Sequence, residues 1–110
     1  MLNMRMYMLQ RITALLMAPL VLGHLALMIY AIQGGLSAEE ILGRTKGSFV
    51  WFLFYGLFVV AVAIHGAIGL RVILHEWGGL RGPVLSLTMW LIGFGLFALG
   101  ARAVWEVTFA

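Results

Sequence analysis

One histidine of this chain lies between two small residues on a single face of a long apolar segment, residues 49–77. Ala61, His65 and Gly69 are four residues apart in turn, so they fall close to one line along a helix. This spacing leaves a shallow slot around the imidazole, in which a flat ligand such as a porphyrin can lie. The alternative is a histidine that hydrogen-bonds to a neighbouring helix, with small residues for close packing. Because ionisable side chains inside membrane spans are rare and usually functional, the pattern favours haem ligation.

The composition indicates a membrane protein. Of the 110 residues, 64% are apolar and only 10% are charged, which is far from the composition of a soluble globular domain. The chain has no cysteine, so it cannot hold a cysteine-ligated Fe–S cluster, and it has no glycine-rich nucleotide-binding loop. The net charge of +3 comes from single basic residues beside apolar runs, a pattern that indicates membrane topology and not nucleic-acid binding.

Three uncharged stretches predict an all-α membrane protein with three transmembrane helices. The uncharged stretches are residues 12–32, 48–70 and 83–101, and the predicted spans extend to approximately residues 11–33, 48–75 and 83–106. Each is long enough to cross a hydrocarbon core of about 30 Å. In the connector, residues 34–47, Ser37 and Glu40 have the spacing of a capping box, so we expect a short interfacial helix there. The whole chain, 1–110, is predicted to form a single membrane domain.

The charged residues differ between the two sides of the membrane. The side that holds the start of the chain and the turn after the second span has four arginines and one glutamate, whereas the other side has three basic and three acidic residues. Because basic residues near the ends of spans favour the cytoplasmic side, we predict a cytoplasmic N-terminus. The charged residues of this first side are Arg5, Arg11, Arg71, Glu76 and Arg81.

Two motifs connect the chain with a known family. Residues 10–14, at the start of the first span, read Gln-Arg-Ile-Thr-Ala. The second motif consists of His65, Gly69, Leu70, Arg71, Glu76 and Trp77. With these motifs the chain resembles, over roughly residues 7–82, the small cytochrome b membrane-anchor subunits of succinate dehydrogenase and fumarate reductase. In that family the second span carries a haem-ligating histidine, a glycine four residues on and an acidic residue eleven residues on.

The resemblance implies a set of residues around a b-type haem and a quinone. His65 is then an axial ligand of haem b, with Gly69 beside it and the other ligand on a sister anchor subunit. Arg11 and Arg71 are implied to lie near the haem propionates or the quinone, and arginines that only reach the lipid headgroups are the alternative. The quinone-site candidates are Arg11, Thr13, Glu76 and Trp77. An indole can donate a hydrogen bond there but has no phenolic proton.

A second histidine, His24, is predicted to lie at a different depth. It follows Arg11 by thirteen residues, about 20 Å along a helix, whereas His65 precedes Arg71 by six residues, about 9 Å. The two histidines are therefore not expected to share one iron, and some members of the family have two haems. His24 is either the ligand of a second haem or a histidine held by a structural hydrogen bond. His75 is expected near the membrane surface, against an interface or a propionate.

The resemblance implies a haem b-binding anchor subunit of succinate:quinone oxidoreductase or fumarate reductase, forming half of a heterodimeric anchor bundle. Quinone is the substrate, one or two haems are shared with the sister subunit, and FAD and Fe–S clusters belong to flavoprotein and Fe–S partner subunits. The chain is then not catalytic alone. Its expected location is the inner (cytoplasmic) membrane of a bacterium or archaeon, as a multi-pass protein, and a higher oligomer of the complex is left open.

Three other functions compete with this interpretation. The chain is alternatively the anchor cytochrome b of another membrane dehydrogenase, or a haemless structural or assembly subunit of a respiratory complex. A small multidrug transporter has a similar length, but such transporters have four spans and a carboxylate in the first. Here all four acidic residues lie outside the three uncharged stretches 12–32, 48–70 and 83–101, which argues against a transporter. The physiological direction of the reaction and the type of quinone stay open.

Overall fold

Three long helices and one short helix make up the structure, a computed structural model that describes residues 3–109. In chain order the helices are α1 (Met4–Gly34), α2 (Ala38–Thr45), α3 (Phe49–Glu76) and α4 (Gly82–Thr108), and this part of the chain contains no strand. The three long helices are long and apolar enough to cross a membrane. The prediction of an all-α membrane protein with three spans is therefore confirmed. Residues 1, 2 and 110 of the predicted domain lie outside the described residues.

The first helix begins before the uncharged stretch that predicts it. At its start, Oδ1 of Asn3 accepts a hydrogen bond from the backbone N–H of Met6 at 2.8 Å, which satisfies one of the free donors of the first turn. As a result, Arg5 and Arg11 belong to α1. The bundle extends 47 Å along its longest axis, so the helix ends project beyond a hydrocarbon core of about 30 Å.

The connector between the first two spans contains the short helix that its capping box predicts. Oγ of Ser37 accepts a hydrogen bond from the backbone N–H of Glu40 at 3.1 Å, and α2 follows directly. At the other end of α2, Oγ1 of the buried Thr45 donates to the carbonyl of Val107 at 2.7 Å. This hydrogen bond fastens the connector to the last turn of α4.

Helix α3 lies at the centre of the bundle and packs against both α1 and α4. Its contact with α4 uses small residues, because Ala63 and Ala67 are buried and a Cβ added to Gly93 would lie 3.3 Å from Cβ of Ala67. Small residues at such contacts let two helix backbones approach closely, which is how helices commonly pair in membranes. The central position of α3 brings its polar residues within reach of both neighbours.

Helices α1 and α3 run antiparallel. Thr13, near the start of α1, contacts His65 in the second half of α3, whereas Gly23 lies against the ring of Phe54 near the start of α3. The start of α1 therefore lies at the same end of the bundle as the end of α3. The turn between α3 and α4 must also lie at this end, and α2 lies at the opposite end.

A glycine-containing turn joins α3 to α4. The N–H groups of Gly78 and Leu80 both donate to the carbonyl of Leu74, at 3.0 and 3.2 Å, and Gly79 has a φ of 71°, a left-handed conformation that glycine adopts without strain. Nδ1 of His75 lies 3.0 Å from the carbonyl oxygen of Leu80. Since a carbonyl can only accept, Nδ1 is the donor, and His75 stabilises the turn.

Candidate functional site

A hydrogen bond between α1 and α3 holds the imidazole of His65. Oγ1 of Thr13 lies 3.2 Å from Nδ1 of His65 and 2.7 Å from the carbonyl oxygen of Leu9. A threonine hydroxyl has a single proton, and the shorter contact assigns that proton to the Leu9 carbonyl. Nδ1 of His65 then donates to Oγ1, by assignment from the hydrogen-bond geometry. In this tautomer Nε2 carries no proton, so its lone pair is available to a metal.

The surroundings of His65 are covered in part by the chain's own first helix. Ala61, one turn before the histidine, is only 2% exposed. Gly69, one turn after it, lies under the side chain of Gln10, since a Cβ added to Gly69 would lie 3.4 Å from Nε2 of Gln10. The slot predicted around His65 is therefore bounded by α1. The atoms that lie over Gly69 are the amide end of the Gln10 side chain, which is flexible and can move. His65 itself keeps some exposed surface.

Two buried polar atoms at this end of the bundle have no hydrogen-bond partner within residues 3–109: Oε1 of Gln10 and Nε of Arg71. Nη1 of Arg71 donates to Oγ of Ser86 on α4 at 3.2 Å, which holds the guanidinium in place. An unpaired buried polar group costs about 1–3 kcal/mol, so each atom gains from a ligand that meets it. A free guanidinium N–H suits a carboxylate or carbonyl oxygen, and a free amide oxygen suits a hydroxyl group.

Sequence reasoning missed Gln10 and Ser86 as members of this site. Gln10 precedes Thr13 by three positions, so both lie on the face of α1 that contacts α3. This spacing was a usable signal, since a polar pair on one face of an apolar helix marks a functional or contact face. No comparable signal identifies Ser86, whose role depends on how α4 packs on α3.

Three other predicted site residues lie on the surface of the chain. Arg11 is exposed, and its guanidinium contacts only Tyr7, one turn earlier, at 3.4 Å from the hydroxyl and 5.7 Å from the ring centre. It lies about 100° around the helix from Gln10, away from α3. Glu76 and Trp77, at the end of α3, are also exposed, Trp77 to 86%. These three side chains face surfaces that lipid or another subunit would cover.

His24 lies in a separate, apolar environment. Its ring is edge-on to the rings of Phe58 and Tyr55, with centroids 5.4 and 6.3 Å away. It lines two adjacent cavities of about 380 and 420 Å³, to which Ile41 and Thr45 also contribute. Within the described range, 3–109, no side chain or carbonyl forms a hydrogen bond with this imidazole. The space beside His24 is therefore mostly apolar, with few groups to satisfy the ring nitrogens.

The structure places the two histidines at different depths. His24 packs against Phe58, which precedes His65 by seven residues, or about 10 Å along α3. One iron cannot bind both rings at this separation. Among residues 3–109, no three or more side chains of His, Cys, Asp or Glu come together to hold a metal ion. An axial haem ligand needs no such cluster, because a single histidine suffices.

The residues around His65 fit one axial position of a haem. A histidine that binds a metal almost always donates its other ring N–H to a protein oxygen, and Thr13 provides such an oxygen. Arg71, further along α3, would be the donor for a propionate, and its buried Nε has no partner within residues 3–109. This site contributes one histidine, so a haem held here with two histidine ligands would need the other from outside the site.

The fold and the site define a multi-pass membrane subunit with a polar, histidine-containing site at one end of a three-span bundle. A family model described as succinate dehydrogenase/fumarate reductase transmembrane subunit matches residues 1–103. The chain belongs to this family, and thus to the membrane part of a multisubunit complex, as the sequence motifs predict. A search of the curated proteins and a search of the solved structures gave no match to it.

Proposed function

We propose that this chain is a haem b-binding anchor subunit of succinate:quinone oxidoreductase or fumarate reductase. The observation that carries the proposal is the 3.2 Å contact between Thr13 and His65, because it leaves Nε2 of His65 free as a nitrogen ligand. Membership of the family supports the assignment to such a complex. The chain is not catalytic alone, since FAD and the Fe–S clusters belong to the flavoprotein and Fe–S subunits.

His65 would hold the haem iron at one axial position. A sister anchor subunit supplies the other ligand, so the two chains form a heterodimeric anchor bundle around the cofactor. Gly69 keeps the helix surface beside His65 free of a Cβ, and Arg71 donates to a propionate. When bound, the haem supplies a one-electron store between the Fe–S clusters and the quinone.

The quinone is proposed to bind at the same end of the bundle. Arg71 has five N–H donors, of which one is used by Ser86, so it serves a quinone carbonyl as well as a propionate. Its permanent charge stabilises the negative charge that develops on the quinone oxygen as electrons arrive. The free amide oxygen of Gln10 accepts a hydrogen bond from the hydroxyl of the reduced ring.

The remaining quinone candidates have unequal support. The hydroxyl of Thr13 is engaged by His65 and Leu9, which favours a role in holding the histidine. Arg11, Glu76 and Trp77 would contact a quinone only from the outer surface that the sister subunit covers. Glu76, at the water-facing end of α3, is suited to pass protons from solvent to the reduced quinone.

The flavoprotein and Fe–S subunits are proposed to dock at the end that holds the start of α1 and the turn after α3. This end carries the excess of arginines and the haem and quinone candidates, so electrons from the Fe–S clusters enter close to their acceptors. Because basic residues favour the cytoplasmic side, the docking face is cytoplasmic, in the inner membrane of a bacterium or archaeon.

A second haem at His24 is a separate part of the proposal. Its support is an imidazole without a hydrogen-bond partner in residues 3–109, beside cavities of about 380 and 420 Å³. His24 is half-buried, and a metal would give its ring a polar partner in a mostly apolar surrounding. The alternative is a histidine that packs edge-on between Phe58 and Tyr55 and binds nothing.

The experiment that tests the proposed function is a dithionite-reduced minus air-oxidised spectrum of the complex purified through its flavoprotein. A b-type band in stoichiometric amount with flavin is the expected result. A complex that contains the flavin and this chain but shows no such band would identify a haemless structural subunit and overturn the proposal. Co-purification with a different dehydrogenase would instead assign the chain to another membrane enzyme.

A further inference from the structure

We infer that Thr13 is a positioning residue that selects the tautomer of His65 required for iron binding. The inference rests on the proposed haem function and deepens it. Thr13 is 3% exposed and is the one buried residue of α1, which places its hydroxyl inside the contact between α1 and α3. His65 is on the opposite side of that contact, and the two residues are 52 positions apart in the chain.

The hydrogen-bond donors and acceptors around His65 decide which of its ring nitrogens carries the proton. Oγ1 of Thr13 lies 2.7 Å from the carbonyl of Leu9 and 3.1 Å from that of Gln10, and both oxygens only accept. The hydroxyl proton therefore points to the α1 backbone, and a lone pair of Oγ1 points to Nδ1 of His65 at 3.2 Å. A proton on Nδ1 completes this chain of hydrogen bonds and leaves Nε2 unprotonated. The other tautomer would place a proton on the nitrogen that binds iron.

The same hydrogen bond has an electronic effect on the iron. An Nδ1–H that donates to an oxygen increases the electron density that Nε2 gives to the metal, and this stabilises the oxidised iron. Loss of the acceptor therefore shifts the haem potential to a more positive value. Removing a group that holds a ligating histidine in this way typically weakens metal binding by about 10–100-fold. A residue that only helped α1 pack on α3 would not change the electronic properties of the haem.

Three variants separate positioning from packing. Thr13→Val keeps the β-branched shape and loses the hydroxyl, whereas Thr13→Ser keeps the hydroxyl. Thr88→Val is the matched control, because Oγ1 of Thr88 donates to the carbonyl of Val84 at 2.8 Å in α4 but has no histidine partner. The measurements, made on the purified complex, are haem per flavin, the haem midpoint potential and the low-spin EPR spectrum of the oxidised haem.

Thr13→Val is expected to lower the haem content, or, where haem is retained, to raise the midpoint potential and shift the EPR spectrum. Thr13→Ser and Thr88→Val are expected to match the wild type. If Thr13→Val prevents assembly, Thr13→Cys replaces it, since a thiol is a weak acceptor and should shift the potential in the same direction.

Thr13→Val and Thr13→Cys lack the hydroxyl. If either variant kept the haem content, midpoint potential and EPR spectrum of the wild type, the inference would be overturned and the proposed function would stay intact. A wild-type complex without haem would overturn the proposed function itself. The two failures are distinguishable because the first is seen only in the variants and the second only in the wild type.

Discussion

Arg71 and Ser86 are joined by a hydrogen bond of 3.2 Å, from Nη1 to Oγ, that ties α3 to α4 and leaves the buried Nε of Arg71 without a partner. The guanidinium is therefore held through one nitrogen, while a second nitrogen, buried in the bundle, has no acceptor within residues 3–109. This relationship makes Arg71 the strongest candidate for a contact with quinone or propionate.

Arg71→Lys keeps the charge but loses the planar set of donors, so quinone reductase activity should fall steeply. Loss of one preorganised donor lowers turnover by about 100-fold or more in other enzymes. Activity with an artificial acceptor, measured on the same purified complex, should persist. Arg11→Lys is the comparator, because Arg11 is exposed and contacts only Tyr7. A larger loss for Arg11 than for Arg71 would assign the quinone contact to the outer face of α1.

The proposal of a second haem predicts two haems per flavin in the wild type and one in His24→Leu. Leucine retains most of the packing against Phe58 and Tyr55, so the bundle should still assemble. Haem extraction and quantitation per flavin provide the measurement. One haem per flavin in both proteins would show that His24 packs in an aromatic pocket and binds no iron.

Gly100→Ala should destabilise the contact between α4 and α3 by about 1–3 kcal/mol, the usual cost of overpacking. A Cβ at Gly100 would lie 2.6 Å from Cγ1 of Val59, a side chain with few alternative rotamers. Gly95→Ala is the matched control in the same helix, because its Cβ would meet no atom within 4 Å. Thermal unfolding of the complex in detergent compares the two variants, and equal midpoints would contradict the close packing at Gly100.

The chain has no native cysteine, so single cysteines report its orientation in the membrane directly. Met4 is 73% exposed at the start of α1, and Gly43, at the opposite end of the bundle, has open space around it. In intact spheroplasts an impermeant maleimide should label Gly43→Cys, and should label Met4→Cys only after permeabilisation. The reverse pattern would place the N-terminus outside and move the proposed docking face with it.

The fold was predictable from the sequence because its signals are local. Uncharged stretches of suitable length predict the three spans, and Ser37 with Glu40 predicts the short helix α2. The early start of α1 was missed because the predicted span began at the last charged residue, whereas the N-cap at Asn3 starts the helix earlier. Charge marks the edge of the hydrocarbon core, and hydrogen bonding marks the end of a helix.

The candidate site was more readily predictable on α3 than on α1. The motif around His65 and Arg71 lies on one helix, so spacing alone relates its members. On α1 the sequence named Thr13, which lies against α3, and Arg11, which does not, whereas it left out Gln10, which does. The spacing of Gln10 and Thr13 places them on one face of α1, but the neighbouring Arg11 is also polar, so which of these faces meets α3 is decided by packing between the helices.

The central claim, that His65 ligates haem b, is tested most directly by the haem content and the reduced-minus-oxidised spectrum of a complex that carries His65→Leu. No neighbouring side chain replaces the ligand, so one low-spin b-type signal should disappear while the flavin remains. His75→Asn is the control, since His75 stabilises the turn through Leu80 and asparagine keeps a donor. A His65→Leu complex with the wild-type haem content and low-spin spectrum would contradict the assignment.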